Sequence, residues 1–381
     1  MENSNLQILL QEAMKDDYEK KFDSFEELSE FANAVEKNAE WIVIPTNSIM
    51  AEATTDVCDD FEDAKLLQDT DKNTGLVLNL IGTQYCVGLS TLSTLFPRAG
   101  ISGPALSKVS KKELAEILNY CVRTRKGDSK IRIDTGKIRA VHSGDEHDYA
   151  ELAVPNLLRA ARQEISSYKD NCTFVRGSWS HYICSAIWDI HDKEICEHYA
   201  KLFKSMDLEI DEKDIKTCLV FQTSDVAVCG ANVNYMIQAK NTSLALNGAI
   251  KLNHKGKASV MDFKSNMNMA FSGFKAAFED IEKLKDIEIN YPEDCIINMA
   301  KKVELPLKAA RKAAEHYYEI FGSKKANALM VYTIGLNHIV DILKTESNKR
   351  MSERTLLDYQ EKIARCILMN FKDYDYMRKV D

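Results

Sequence analysis

The chain has 381 residues, 45% of them apolar and 28% charged, with a formal net charge of −8 at neutral pH. That balance excludes a disordered chain and predicts a packed core larger than one average domain holds. No apolar run approaches the roughly 18 residues that a membrane-spanning helix needs, so no membrane partner is expected.

Residues 5–39 read as two amphipathic helices. The second is introduced by Asp23-Ser24 and carries Phe25, Leu28, Phe31 and Val35 at helical spacing. The start of the chain lacks the basic and small-residue signals of a secretory leader, which predicts a cytoplasmic protein. WIVIP at 41–45 is a short strand stopped by Pro45. The acidic run DVCDDFEDAKLLQDTDKNTG at 56–75 reads as a loop or linker. Its paired acids lack the ligand order and the glycine of a calcium-binding loop. Residues 1–75 hold 19 acidic and 6 basic side chains, a balance of −13, and are expected to form an acidic helical arm and linker.

The core is expected over 76–290. LVLNLI at 76–81 is a strand, and TQYCVGLSTLSTLFPRAGI reads as a helix ending near Pro97. Helix 110–125 opens on Ser110 with Glu113 three positions on, a capping box. Two strands, 130–134 and 137–142, flank an Asp-Thr-Gly-Lys turn and form a hairpin. A helix is expected over 148–168, capped by Asp145 or Asp148. Residues 172–190 alternate like strands, a helix occupies 193–206, and further strands fall at 217–225, 232–239 and 249–256. Val260, Phe263, Met267, Phe271, Phe274, Phe278 and Ile281 mark one long amphipathic helix over 258–284. Beyond Tyr291-Pro292 every segment has helical period, so 291–381 is expected to be all-helical. The class is α+β, a mixed core with antiparallel hairpins between a helical arm and a helical C-terminal region.

Ten cysteines show no CxxC spacing and read as reduced thiols. GxSxG, GxxxxGK[ST] and GxGxxG are all missing, which removes the usual anchors of hydrolase, P-loop and dinucleotide readings. No cofactor is implied. His191, Glu194 and His198 have the spacing of successive turns at the start of one helix, with Cys196 displaced around it, but the histidines are seven apart and no HExxH occurs. His142, Asp145, His147 and Asp148 supply metal or acid–base types in one short loop, the weak candidates for a metal-dependent enzyme.

Residues 101–140 reverse the charge of the front, with 10 basic and 4 acidic side chains. Arg123, Arg125, Lys126, Lys130, Arg132, Lys137 and Arg139 gather on a helix end and the hairpin that follows. In the first hairpin strand Lys130, Arg132 and Asp134 alternate with Ile131 and Ile133, giving one packed face and one charged face. Such a ribbon neutralises phosphates if its charged face meets solvent. KLNHKGK at 251–257 adds Lys255 and Lys257, and Lys301, Lys302, Lys308, Arg311 and Lys312 form a third basic group.

Three passages carry a family resemblance. The order of TQYCVGLSTLSTLFPRAGISGPALSKVSKKELAEILNYCVRT, the strand KIRAVHS at 137–143 and the serine–acid step in FQTSDVAVCGANV at 221–233 resemble the domain of unknown function 932 family of phage- and plasmid-like proteins. ANALMVYTIGLNHIVDIL at 326–343 is similar to that family's closing helix, so the resemblance spans about residues 76–345. It implies a mobile-genetic-element setting and transfers no catalytic residue. Gly144-Asp145-Glu146-His147-Asp148-Tyr149 departs from the segment the family carries after its Leu-Ser-like step. The leading expectation is a non-enzymatic DNA-associated protein that binds single-stranded DNA as a recombination or annealing accessory and forms a homo-oligomer. The alternative is an interaction protein, an anti-defence or assembly factor, that works through its acidic surface.

Overall fold

The computed structural model describes residues 9–10, 12–57, 63–145, 147–206, 208–226, 228–239, 242–322, 326–346 and 353–378. The centre of the acidic run, at 58–62, and most of the first expected helix lie outside them. The class is α+β, as the residue pattern predicts. No helix among the described residues is long and apolar enough to cross a membrane.

The elements, in chain order, are β1 (Glu19–Phe22), α1 (Phe25–Lys37), β2 (Ala39–Pro45), β3 (Ile49–Ala53), α2 (Ala64–Lys72), β4 (Leu76–Leu80), β5 (Thr83–Val87), α3 (Leu92–Ala99), α4 (Lys111–Arg123), β6 (Asp128–Asp134) and β7 (Lys137–Ser143). They continue with α5 (Val154–Tyr168), β8 (Thr173–Ser180), β9 (Cys184–Asp189), α6 (Lys193–Ser205), β10 (Ile215–Thr223), β11 (Ala231–Ala239), β12 (Thr242–Leu252) and α7 (Val260–Glu282). The C-terminal part holds α8 (Pro292–Lys302), α9 (Leu307–Phe321), α10 (Asn337–Glu346) and α11 (Glu353–Cys366). A short two-residue ladder pairs Glu288–Ile289 with Ala326–Asn327, so that part is not purely helical.

One six-stranded sheet runs β1-β8-β9-β10-β11-β12 and is antiparallel throughout. The other runs β2-β6-β7-β5-β4-β3 and is antiparallel except where β5 lies parallel to β7. Strands β2 and β3 are the two outer strands of that second sheet, yet only Thr46–Ser48 joins them. A connection that short spans at most about 14 Å, so the sheet must curl until its edges approach each other, a half-open barrel. Helix α4 packs along β3. Its Asn119 side chain accepts from the Ala51 N–H at 2.7 Å and donates to the Ala51 carbonyl at 2.8 Å. That side chain stands in for a missing neighbour strand. The same device recurs on β12, where Ala245 donates to Asn337 at 3.2 Å and accepts from the Tyr332 hydroxyl. Edges closed in this way do not invite foreign strands.

The larger core lies between the first sheet and helices α1, α5, α7 and the C-terminal group, with Phe22, Phe31, Tyr199, Phe221, Phe263, Tyr317 and Tyr332 almost fully enclosed. The smaller core fills the curled sheet beneath α3 and α4, around Ile49, Leu78, Leu95, Leu118, Val122 and Ile131. Local signals act as expected at several ends. Ser24 caps α1, and Ser110 with Glu113 forms the capping box of α4. Ser259 with Asp262 forms a capping box on α7 that the sequence reading did not single out.

Three expectations need correction. Residues 19–53 are a helical arm only in part: α1 and the strand at 41–45 form as expected, but β1 joins the edge of the first sheet, and β2 and β3 close the second. TQYCV is strand β5 rather than the start of a helix, because Ile81 and Gly82 both adopt positive φ and turn the chain back on β4. Asp145 and Asp148 cap no helix: α5 begins at Val154 with Pro155 in its first turn and has no side-chain cap.

Candidate nucleic-acid interface

The basic hairpin forms as its turn residues predict, β6 against β7 around Thr135 and Gly136, both at positive φ. Ile131 and Ile133 point into the smaller core, again as alternation requires. The opposite face does not meet solvent. Arg132 is 2% exposed, Lys137 0% and Arg139 4%. Arg132 lies 3.0 Å from Glu36, 3.3 Å from Asp134 and 3.5 Å from Asp225. Lys137 lies 3.0 Å from Asp16 and 2.9 Å from Asp69, and it donates to the Met14 carbonyl at 2.9 Å. Arg139 donates to the His181 carbonyl at 2.8 Å and faces Asp134 at 3.7 Å. These three residues therefore cannot contact phosphate, which corrects the expectation for Arg132, Lys137 and Arg139. Their counter-charges Asp16, Glu36 and Asp69 come from the acidic front of the chain. The contrast between a −13 front and a basic middle is in this part an internal pairing, in which Asp16 is enclosed and Glu36 and Asp69 stay partly exposed.

Burial works against the Arg132 charge, but the carboxylates of Asp225, Asp134 and Glu36 outweigh it and raise its pKa. Burial also pushes the Asp134 carboxyl up to about 6, with Asp225 adding to the rise against the pull of Arg132. Asp16 Oδ2, Arg132 Nε, Asp134 Oδ1 and Arg139 Nη1 are buried with no hydrogen-bond partner of good geometry.

The other basic candidates lie at the surface. Arg123 and Lys126 are exposed, and Lys255 and Lys257 are exposed on the turn after β12. None of these four makes an ion pair with a described residue. Lys130 is half-buried, pairs with Glu151 and sits over the Trp41 ring at 5.6 Å. Arg125 is half-buried and donates to the Ala99 carbonyl at 3.0 Å. Gly100, in the left-handed conformation, ends α3 there, and a Cβ on it would strike the Arg125 guanidinium. Lys301, Lys302, Lys308 and Arg311 are exposed on α8 and α9, with Lys312 half-buried, in the C-terminal helical region.

An open groove of about 590 Å³ runs between the two sheets. Ser93, Thr94, Pro97 and Arg98 of α3 form one wall, and Val228–Gly230 with Asn253–Lys255 form the other. Val141, His142 and Tyr149 make the floor. Two backbone bonds tie the far wall to the floor, Gly256 N–H to His147 O at 2.9 Å and Ala150 N–H to His254 O at 3.2 Å. Beneath the groove the rings of His142 and Tyr149 stack at 3.9 Å with 8° between planes, and Tyr149 and His254 at 5.7 Å with 7°. Trp41 closes the column 5.4 Å from Tyr149. Burial, followed by the nearby His254 and Lys130, brings the His142 imidazole down to about 4. Burial also lowers His254, so both rings are neutral at neutral pH. His142 Nε2 and His254 Nδ1 have no hydrogen-bond partner.

On the α3 wall, Arg98 is held by Ser129 at 3.0 Å, by the Asp128 carbonyl at 2.8 Å and by Thr46. Burial and the neighbouring Arg125 charge both lower its pKa, a sign of two cations close together. Of the basic residues that sequence reading singled out, Lys255 lines the groove, while on the opposite side Arg125 lies near Arg98 and the Lys126 carbonyl accepts from it. Arg98, Tyr149 and His254 were not singled out as site residues. Arg98 sits among the residues of an ordinary helix end, and Tyr149 and His254 come together only through the packing of the two sheets.

The metal candidates do not assemble. Asp145 accepts from the His147 N–H at 2.9 Å in a local turn, and His142 is committed to the ring stack. His191 bonds Asp189 at 3.3 Å and Thr173 at 2.8 Å, His198 faces Glu282 at 3.4 Å, and Cys196 bonds the Ile215 carbonyl. Among the described residues no three histidine, cysteine or acidic side chains come together as a metal site would need. Compared with protein-family models, with curated proteins and with solved structures, the chain matches none of them.

Proposed function

We propose that the protein binds nucleic acid, single-stranded DNA first, through the groove between its sheets, as a non-enzymatic accessory of recombination in a phage or plasmid setting. One observation carries this reading: Lys255 lines one wall with Lys257 two residues on in the same turn, and Lys126 gives its carbonyl to Arg98 of the other wall, all three exposed and without an ion pair to any described residue. Most of the hairpin charge is neutralised internally, so the cations left outside are the ones that neutralising phosphates would reward with counterion release. A concave channel with basic sides is the form that proteins use to track a single strand.

Fluorescence polarisation tests this with a labelled oligothymidylate and a duplex of equal length, titrated at low salt and at rising salt. The expected result is binding to the single strand that weakens steeply with salt. Replacing Lys255 and Lys257 by Glu should reduce affinity about tenfold or more and flatten the salt slope by about one unit per lost phosphate contact. Absence of binding to any oligonucleotide at low salt refutes the reading.

A further inference from the structure

We infer that the groove holds a single strand with its bases turned inward and its phosphates at the rim, so that a bound segment is withheld from base pairing. The inference rests on the nucleic-acid reading above and deepens it. Its ground is the separation of charge across the groove. The cations are on the walls or next to them: Lys255 is exposed, Arg98 is half-buried with the Arg125 charge close by, and the exposed Lys126 gives its carbonyl to Arg98. Among the described lining residues the floor, formed by Val141, the His142 imidazole and the Tyr149 ring, carries no cation, and the His254 ring of the far wall is kept neutral by burial as His142 is.

A phosphate lowered to that floor would lose its water and find below it only Lys130 and Arg132, cations already neutralised by Glu151 and by Glu36, Asp134 and Asp225, a costly exchange. A base loses less on the same path, because its edge is neutral and carries both donors and acceptors. The lining meets such an edge with neutral polar groups, Thr94, Ser143 and Asn253, and His142 and His254 each keep a ring nitrogen without a partner just below. Asp148, exposed on the same groove and close enough to Arg98 for the charges to interact, offsets part of that cation, and its carboxylate accepts from the exocyclic amine of adenine or cytosine.

The test compares two labelled strands of equal length and charge, one of ordinary nucleotides and one of abasic residues, by polarisation over a range of salt. With bases inward, the abasic strand binds about tenfold or more weakly while both strands keep the same salt slope. His254→Ala should weaken the ordinary strand and leave the abasic one unchanged. Asn253→Ala on the exposed rim gives the same readout if loss of the buried imidazole unfolds the protein, which circular dichroism detects. Equal, salt-dependent affinity for both strands overturns the inference and leaves nucleic-acid binding standing. No binding to either strand overturns both. A third measurement is independent of affinity: thymines in the bound strand should be protected from permanganate, and undiminished reactivity at saturation also overturns the inference.

Discussion

Replacing Lys137 by Met tests whether the hairpin charge is structural. The ammonium is fully enclosed, between Asp16 at 3.0 Å and Asp69 at 2.9 Å, with the Met14 carbonyl as its third acceptor. The Asp16 side chain is itself only 2% exposed, so without Lys137 its carboxylate has neither water nor a counter-charge. Removing one partner of a buried pair in this way costs about 3–5 kcal/mol. At about 2–4 °C per kcal/mol for a domain of 150–250 residues, the melting midpoint should fall by on the order of 10 °C. Urea denaturation of Lys137→Met, Asp16→Asn and the double variant completes a cycle, and the double variant should lose less than the two single losses combined. Salt at about 0.5 M should alter the Lys137 effect little, since an enclosed pair is poorly screened. Under the proposed function, the folded fraction of Lys137→Met should match the wild type in the oligonucleotide titration. A variant within about 1 kcal/mol of wild-type stability but with weakened DNA binding would refute the reasoning and return the hairpin to the surface role that its composition suggests.

Two further outcomes follow from the same geometry. Asp134 has its pKa raised from 3.8 to about 6 by burial and Asp225, so between those values the folded protein holds a proton that the unfolded chain releases. Its contribution is fully present below about pH 4 and declines as pH rises through 6. The stability of wild type minus that of Asp134→Asn should therefore fall by on the order of 2 kcal/mol between pH 4 and pH 7 in urea titrations, and a flat or rising difference refutes the assignment. Asn119→Ala strips both side-chain bonds from Ala51 on the edge of the curled sheet and should cost about 1–3 kcal/mol by chemical denaturation. A loss below about 0.5 kcal/mol means that water replaces the asparagine without penalty.

What could be read from the sequence was local. The capping box of α4, the hairpin turn at Thr135-Gly136 and the apolar stripe of α7 each depend on residues within a few positions of one another, and each forms where the pattern puts it. The alternation in β6 also told correctly that one face is charged. It carried no information on what that face meets, because the partner carboxylates are remote: Glu36 is 96 positions from Arg132 and Asp69 is 68 from Lys137. The same limit explains the expected N-terminal arm. Glu19–Phe22 is too short and polar to look like a strand, and it becomes one only because the edge of β8 is available to it. The groove was half legible, through Lys255 on its turn, while Tyr149 in the floor and His254 in the far wall are two rings brought together across the boundary between the sheets.

The place of β1 at the edge of the first sheet also bears on how the protein is made. Its partner strand ends at Ser180, so residues 19–22 have nothing to pair with until that part of the chain has left the ribosome. At about 5–20 residues per second, the wait is on the order of ten seconds. Asp16, Glu36 and Asp69 likewise wait for Arg132 and Lys137. During that time the emerging front of the chain, with its balance of −13, repels itself and its copies on neighbouring ribosomes. The carboxylates that later neutralise a buried hairpin thus first keep an unpaired nascent segment from associating.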